Sequence, residues 1–459
     1  MFRIFRESGV GDQQARYHGN AGAAFNQMRM EFPHFSPLQE KNLSKGGRMG
    51  VYSHVAVILS RERLVYHVLS YVMGIGFRFV RLIWTMKRRI VGYDVIKSIA
   101  MFFVVMLHYS FYTRFYSSGL VGTSVTVLRV VCVPLFFAVN GALLLPRAMD
   151  EAKHYRKTLN IIIVVTIWRL LAAAFFVFID GSHPVTVKNL FIFLLGGGFG
   201  DYPTGYFWFM NALIAVYLVL PVMKTAFDSE RKIVFKALLA VLIGFTVGKD
   251  SLRLVLQMVG SVTNHDFAST LNSLNEFYIF GSYGYVLLYF LVGGMVGRYL
   301  KQRQQGGSDV NRHPVFGISS GKACIGIFVC YVLTLLIQRY QHAAHGTNLT
   351  VENGYWLLPT FIATVLILLV LGRARIQGFW AKTFQVIGMN TFGVYMLHLA
   401  GLVLLSRLQS LPWFQFMGNL NSIAVTLLNI VLCGCVFAAC LAVSVLLRKI
   451  PYIGRLFAL

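Results

Sequence analysis

Two histidines, a lysine and an aspartate lie where an apolar chain should hold none. Of the twelve histidines, only His108 and His398 fall inside long apolar runs, and the run around His108 also holds Asp94 and Lys97. An ionisable group in hydrocarbon is expensive, so its retention points to function. Lys97 and His108 are eleven residues apart, close to three helical turns. On a helix they share one face, about 16 Å apart along the axis. Asp94, one turn before Lys97, lies on nearly the same side and can pair with it. Imidazole has the pKa and reach to take a proton from a hydroxyl, and a cation near a membrane surface can hold phosphate. The plainer alternatives are that Lys97 snorkels to the headgroups and that His108 satisfies a neighbouring carbonyl.

The elements that must carry these groups are membrane-spanning helices. Of 459 residues, 56% are hydrophobic and 13% charged, against about a quarter charged in a soluble domain. Too little polar surface exists to cover such a chain in water, so lipid is its expected solvent. The formal net charge of +25 does not indicate nucleic acid, because the basic residues fall between apolar runs, where topology signals belong. The six cysteines all sit within apolar runs, form no CxxC pair and read as small buried hydrophobes. No metal site is expected. The first 45 residues are polar and lack the apolar core of a secretory signal.

At about 20 apolar residues per crossing, the sequence predicts an all-α membrane protein of ten spans. They lie near 90–112, 123–145, 158–180, 205–223, 233–248, 277–299, 317–337, 355–371, 384–406 and 421–447. Basic residues alternate accordingly. Lys87, Arg88 and Arg89 precede the first span, and Arg147, Lys153, Arg156 and Lys157 separate the second from the third. Lys224, Arg231 and Lys232, then Arg298, Lys301, Arg303, Arg312 and Lys322, mark the next two loops of that side. Arg373, Arg375 and Lys382 come before span nine, and Arg448, Lys449 and Arg455 after span ten. Loops 181–204 and 338–354 hold one basic residue each, Lys188 and Arg339. Both termini are therefore expected in the cytoplasm and the protein in the inner (plasma) membrane. His108 then lies well across the bilayer, with Asp94 and Lys97 near the cytoplasmic surface.

Residues 1–85 form a separate, polar and basic N-terminal extension, amphipathic from about Val51 to Trp84. Two readings stand. Either this stretch lies on the membrane surface as a basic amphipathic helix, or the natural chain starts at Met86, since Met-Lys-Arg-Arg before an apolar run is an ordinary beginning. Residues 86–459 form the membrane domain.

The run from Gly92 through Asp94 and Lys97 to His108 resembles the opening helix of the membrane acyltransferase-3 family, the integral-membrane O-acyltransferases of bacterial surface glycans. That helix reads Asp, Arg three residues on, and His eleven beyond. Lys97 replaces the Arg here, keeping the charge and losing bidentate recognition. Val133-Pro134 through Asn140-Gly141 resembles the family's second span, where Ser-Gly is usual. Tyr206, Trp208 and Asn211 through Tyr217 and Pro221 resemble its aromatic fourth span, and Gly388 through Thr391, Tyr395 and His398 its late Ser/Thr-Tyr-x-x-His helix. The resemblance covers roughly 90–450.

It implies an acyltransferase moving an acetyl or other short acyl group to a hydroxyl of a cell-envelope carbohydrate, lipid-linked or at the surface. No cofactor is expected to be bound, and acetyl-CoA or another acyl-CoA enters as co-substrate. His108 is the candidate base and Asp94 its catalytic companion. Lys97, Arg129 and Arg169 are donor-binding candidates, although Arg129, near a helix end, could equally snorkel. Tyr395, His398, Trp208, Asn140 and Asn211 are candidates for acceptor or oxyanion contacts, or for ordinary interhelical hydrogen bonding. The competing function is a secondary transporter using the polar stripe as a path. Transporters often show repeats with broken helices at matching positions; Gly196-Gly197-Gly198 lies in a loop and Gly293-Gly294 has no counterpart. A non-catalytic scaffold is the third reading. Glu276 is expected at the interface, and Asn348-Leu349-Thr350 is a glycosylation sequon meaningful only in a secretory context.

Overall fold

The structure, a computed structural model, describes residues 90–458 apart from 114, 117–118, 180–184, 306–314 and 347–348, and the described residues fold without a strand. The extension 1–85, Met86 and Asn348 of the sequon lie outside them. Among the described residues, seven helical stretches are long and apolar enough to cross a membrane, so the protein is a multi-pass, all-helical membrane protein.

The first, α1 (Val91–Tyr112), has 22 residues, about 33 Å at 1.5 Å per residue, which matches a hydrocarbon core of about 30 Å. The second crossing is broken into α2 (Leu120–Arg129) and α3 (Cys132–Leu144). Pro134 accounts for the break: it has no N–H for the Val130 carbonyl, and its ring crowds the preceding turn. Next come α4 (Glu151–Ile179), the short α5 (Val187–Leu194) and α6 (Trp208–Asp228), the last entered through a 3₁₀ turn at Gly205–Phe207.

The fifth expected span proves longer than the sequence implies. Helix α7 (Lys232–Ile243) passes through a π-helical turn at Gly244–Gly248 into α8 (Lys249–Thr263). The sixth begins later than expected, as α9 (Gly284–Gln304): a 3₁₀ stretch runs to Phe277, and Gly281, at φ +61°, opens the short 3₁₀ turn that leads into the helix. Glu276 accordingly lies exposed, ahead of the helix. Helix α10 (Ser320–His345) is followed by the one-turn α11 (Val351–Gly354), then α12 (Leu358–Arg373), α13 (Gly378–Gln409) and α14 (Ser422–Leu447).

Helices approach closely where small residues permit it, since lipid supplies no hydrophobic force between them. A Cβ on Gly293 of α9 would stand 2.1 Å from the Ala138 carbonyl oxygen of α3, and one on Gly297 2.5 Å from that of Ala142. The Gly293-Gly294 pair is therefore a packing surface. Its register, 138 against 293 and 142 against 297, makes α3 and α9 parallel.

Other contacts orient the remaining helices. Gly92 at the start of α1 meets Leu371 at the end of α12, so those two are antiparallel. Helix α4 meets α6 through His154 on the Tyr217 carbonyl and Arg169 on Asn211, which is also antiparallel. Helix α13 touches α1 twice, with Gly388 against Asp94 and His398 against His108. The lower-numbered residue of each helix meets the lower-numbered one of the other, so α1 and α13 run parallel. Helix α1 is thus walled by α3, α12, α13 and α14, and its polar stripe lies inside protein.

Candidate active site

His108 stands one turn before the end of α1. Its Nδ1 lies 3.0 Å from the Val104 carbonyl, four residues back on the same helix, and 3.4 Å from Nε2 of His398. The two rings are 4.9 Å apart at 68°. His398 is wholly buried, and its Nδ1 contacts the Tyr395 carbonyl. With both rings neutral, these contacts assign which nitrogens carry protons. A carbonyl only accepts, so Nδ1 of His398 donates to Tyr395 and Nε2 of the neutral ring keeps a lone pair. Nδ1 of His108 must then be the donor, shared between Val104 and His398. Nε2 of His108 is left unprotonated, the form a general base requires.

Aromatic packing holds His398 in this pose. Tyr395, one turn before it, donates its hydroxyl to the Tyr206 carbonyl. Tyr206 meets the His398 ring edge-on at 5.6 Å, and Phe209 packs on Tyr395 at 5.4 Å. The 3₁₀ turn before α6 delivers Tyr206 to this position, since a continuous helix would point it elsewhere.

His108 opens onto a cavity of about 270 Å³, lined also by Leu107, Phe136, Trp208, Tyr395 and Glu352. The space is mostly apolar with a few convergent polar groups, as is usual for small-molecule sites. Among the described residues no cluster of three or more His, Cys, Asp or Glu could hold a metal ion.

A family model described as an acyltransferase domain matches residues 90–449, from the turn before α1 to just past α14. The chain belongs to the acyltransferase-3 family. It is a membrane acyltransferase. Searches of curated proteins and of solved structures return no match.

The remaining candidates of this acyltransferase fall into separate groups. Asp94 is 3% exposed, with its carboxylate against Gly388, while Lys97 is half-buried. Both belong to the end of α1 remote from His108. Arg129 is buried behind α1, donating to the Met106 carbonyl, to Thr126 Oγ1 at 2.6 Å and to the Tyr116 hydroxyl at 3.1 Å, with its Nε unpartnered. Arg169 lies between the rings of Phe193 and Phe207, 4.9 and 4.8 Å from their centroids, and donates to Asn211 Oδ1 at 2.6 Å. Asn211 in turn donates to the Gly196 carbonyl, and Asn140 bonds the Phe136 carbonyl and the Tyr217 hydroxyl. The structure therefore places His108, Tyr395 and Trp208 around one cavity, with His398 buried against His108 and outside the lining. It engages Asn140, Asn211 and Arg169 in helix-to-helix contacts outside that cavity's lining.

Two residues of the site escaped sequence reasoning. Tyr206 was legible only as the start of an aromatic run, and nothing local shows that its ring and carbonyl support α13. Glu352 sits in the one-turn α11, where its only signal was being an acid among few charges.

Proposed function

We propose that the protein transfers an acetyl or other short acyl group from cytoplasmic acyl-CoA to a hydroxyl of a cell-envelope carbohydrate. The observation carrying this reading is His108 at a cavity, with its Nδ1 between the Val104 carbonyl and Nε2 of His398, an arrangement that leaves its own Nε2 for the base. In the reaction, Nε2 takes the acceptor hydroxyl proton as the oxygen attacks the thioester carbonyl carbon. The C–O bond forms, the C–S bond breaks, and the departing thiolate recovers that proton from the imidazolium. Proton transfer of this kind contributes about 10²–10⁴-fold, and holding both substrates in one cavity contributes further. Lys97, about 16 Å from His108 along α1, would hold donor phosphates near the cytoplasm while the pantetheine arm reaches inward. Asp94 would keep the lysine charged and oriented.

Helix direction supports ten spans with both termini in the cytoplasm. Helix α4 returns from α2–α3, and α6 is antiparallel to α4. Helix α9 is parallel to α3 and hence to α6, which requires a crossing by α7–α8 between them. Parallel α1 and α13 leave an even number of crossings between α9 and α13, and the antiparallel contact of α12 with α1 supports α10 and α12 as that pair. The basic loops fall on the side where α1 begins, which supports an inner-membrane protein with His108 toward the outer face.

Membranes given radiolabelled acetyl-CoA test the reading. Wild-type protein should label the envelope glycan fraction, and His108→Ala should lower the rate by about 10²–10⁴-fold. Undiminished transfer by that variant would sink the assignment of the base.

A further inference from the structure

A second hollow of about 690 Å³ adjoins the histidine cavity, and Trp208 and Glu352 line both. It is walled by α8, by the turn ahead of α9 and by the loop carrying α11, so it opens at the His108 end of the bundle.

Its lining pairs flat rings with hydrogen-bonding edges. Trp208 stacks on Tyr283 with centroids 5.6 Å apart at 14°, Phe245 stacks on Tyr278 at 5.6 Å and 4°, and Trp356 packs on Tyr285 at 5.0 Å. Between them stand Lys249, Asp250, Arg253, Glu352 and Asn353. The two cations are balanced by two carboxylates, which disfavours a nucleotide diphosphate. Asp250 and Glu352 offer carboxylate oxygens to a ligand rich in hydrogen-bond donors.

We propose that this cleft binds the acceptor carbohydrate. Sugar rings carry slightly positive C–H bonds on their faces, which rest on the negative faces of aromatic rings, and hydroxyls at their edges, which carboxylates and amides bind. A cleft of this size holds a few sugar units. The hydroxyl to be acylated passes between Trp208 and Glu352 to Nε2 of His108. This inference rests on the acyl-transfer reading above and adds to it where the acceptor sits and what recognises it.

Photocrosslinking in cells tests it. The photoreactive residue p-benzoylphenylalanine is placed at Arg253 or Asn353, both exposed in the cleft, and as a control at Phe328 of α10, which is 65% exposed. After irradiation, adducts are analysed by mass spectrometry. Carbohydrate adducts at the two cleft positions and none at Phe328 are expected, in the wild-type and His108→Ala backgrounds alike, because binding precedes chemistry. Adducts of phospholipid or peptide alone, or none at either cleft position while glycan is still acylated, would overturn the cleft. Carbohydrate adducts together with full transfer in His108→Ala would instead sink the base assignment and leave the cleft standing.

Discussion

His398→Ala separates orientation from base chemistry at the residue scale. Without His398, Nδ1 of His108 keeps only the Val104 carbonyl as acceptor, and the ring loses a wall on the α13 side. The expected result is a fall in kcat of about 10–100-fold, by analogy with loss of a group that orients a ligand imidazole, with acceptor KM unchanged. The double variant with His108→Ala should be no slower than His108→Ala alone, since residues acting as a unit are non-additive. Rates that multiply would show the two histidines acting independently. Lys97 gives a complementary expectation. Lys97→Ala should raise the KM for acetyl-CoA several-fold and leave kcat nearly unchanged, while Lys97→Arg should retain binding, because the charge stays and bidentate contact becomes possible. An unchanged KM in Lys97→Ala would remove Lys97 from the donor site.

Among the elements, the tightest constraint is the contact of α3 with α9. Gly293→Leu forces a side chain into the Ala138 backbone, where only helix separation can relieve it. We expect a melting temperature in detergent lowered by the equivalent of at least about 1–3 kcal/mol, the usual cost of overpacking. Gly434→Ala in α14 provides the control, since a Cβ there meets nothing within 4 Å. It should be neutral or mildly stabilising, because alanine favours a helix by about 0.5–1 kcal/mol over glycine. Equal melting temperatures for Gly293→Leu and wild type would contradict the close approach. In the sequence, Gly293-Gly294 offered at most a possible helix break; its meaning as a packing surface depends on α3 lying alongside, and no local pattern carries that.

For the whole molecule, the parallel run of α1 and α13 makes the sidedness testable. In a cysteine-free background, Ser269→Cys, exposed between α8 and α9, should react with a membrane-impermeant maleimide on intact cells. Lys153→Cys, exposed at the start of α4, should react only after permeabilisation. Reaction of Lys153→Cys on intact cells would invert the topology and place the histidine cavity toward the cytoplasm.

By itself the sequence determined the class of fold, the positions of most spans, the resemblance of residues 90–450 and the shared face of Lys97 and His108. All of these are local properties: apolar length, helical period, charge between spans and short motifs in order. Tertiary structure alone decided that His398 meets His108 from a helix 290 residues away. It also decided that Arg169 and Asn211 bond each other and that Glu352 stands beside Trp208. Those outcomes depend on which helices are neighbours and in what register. That is set by the steric fit of small residues between helices, a pairwise property that one chain read in order does not display.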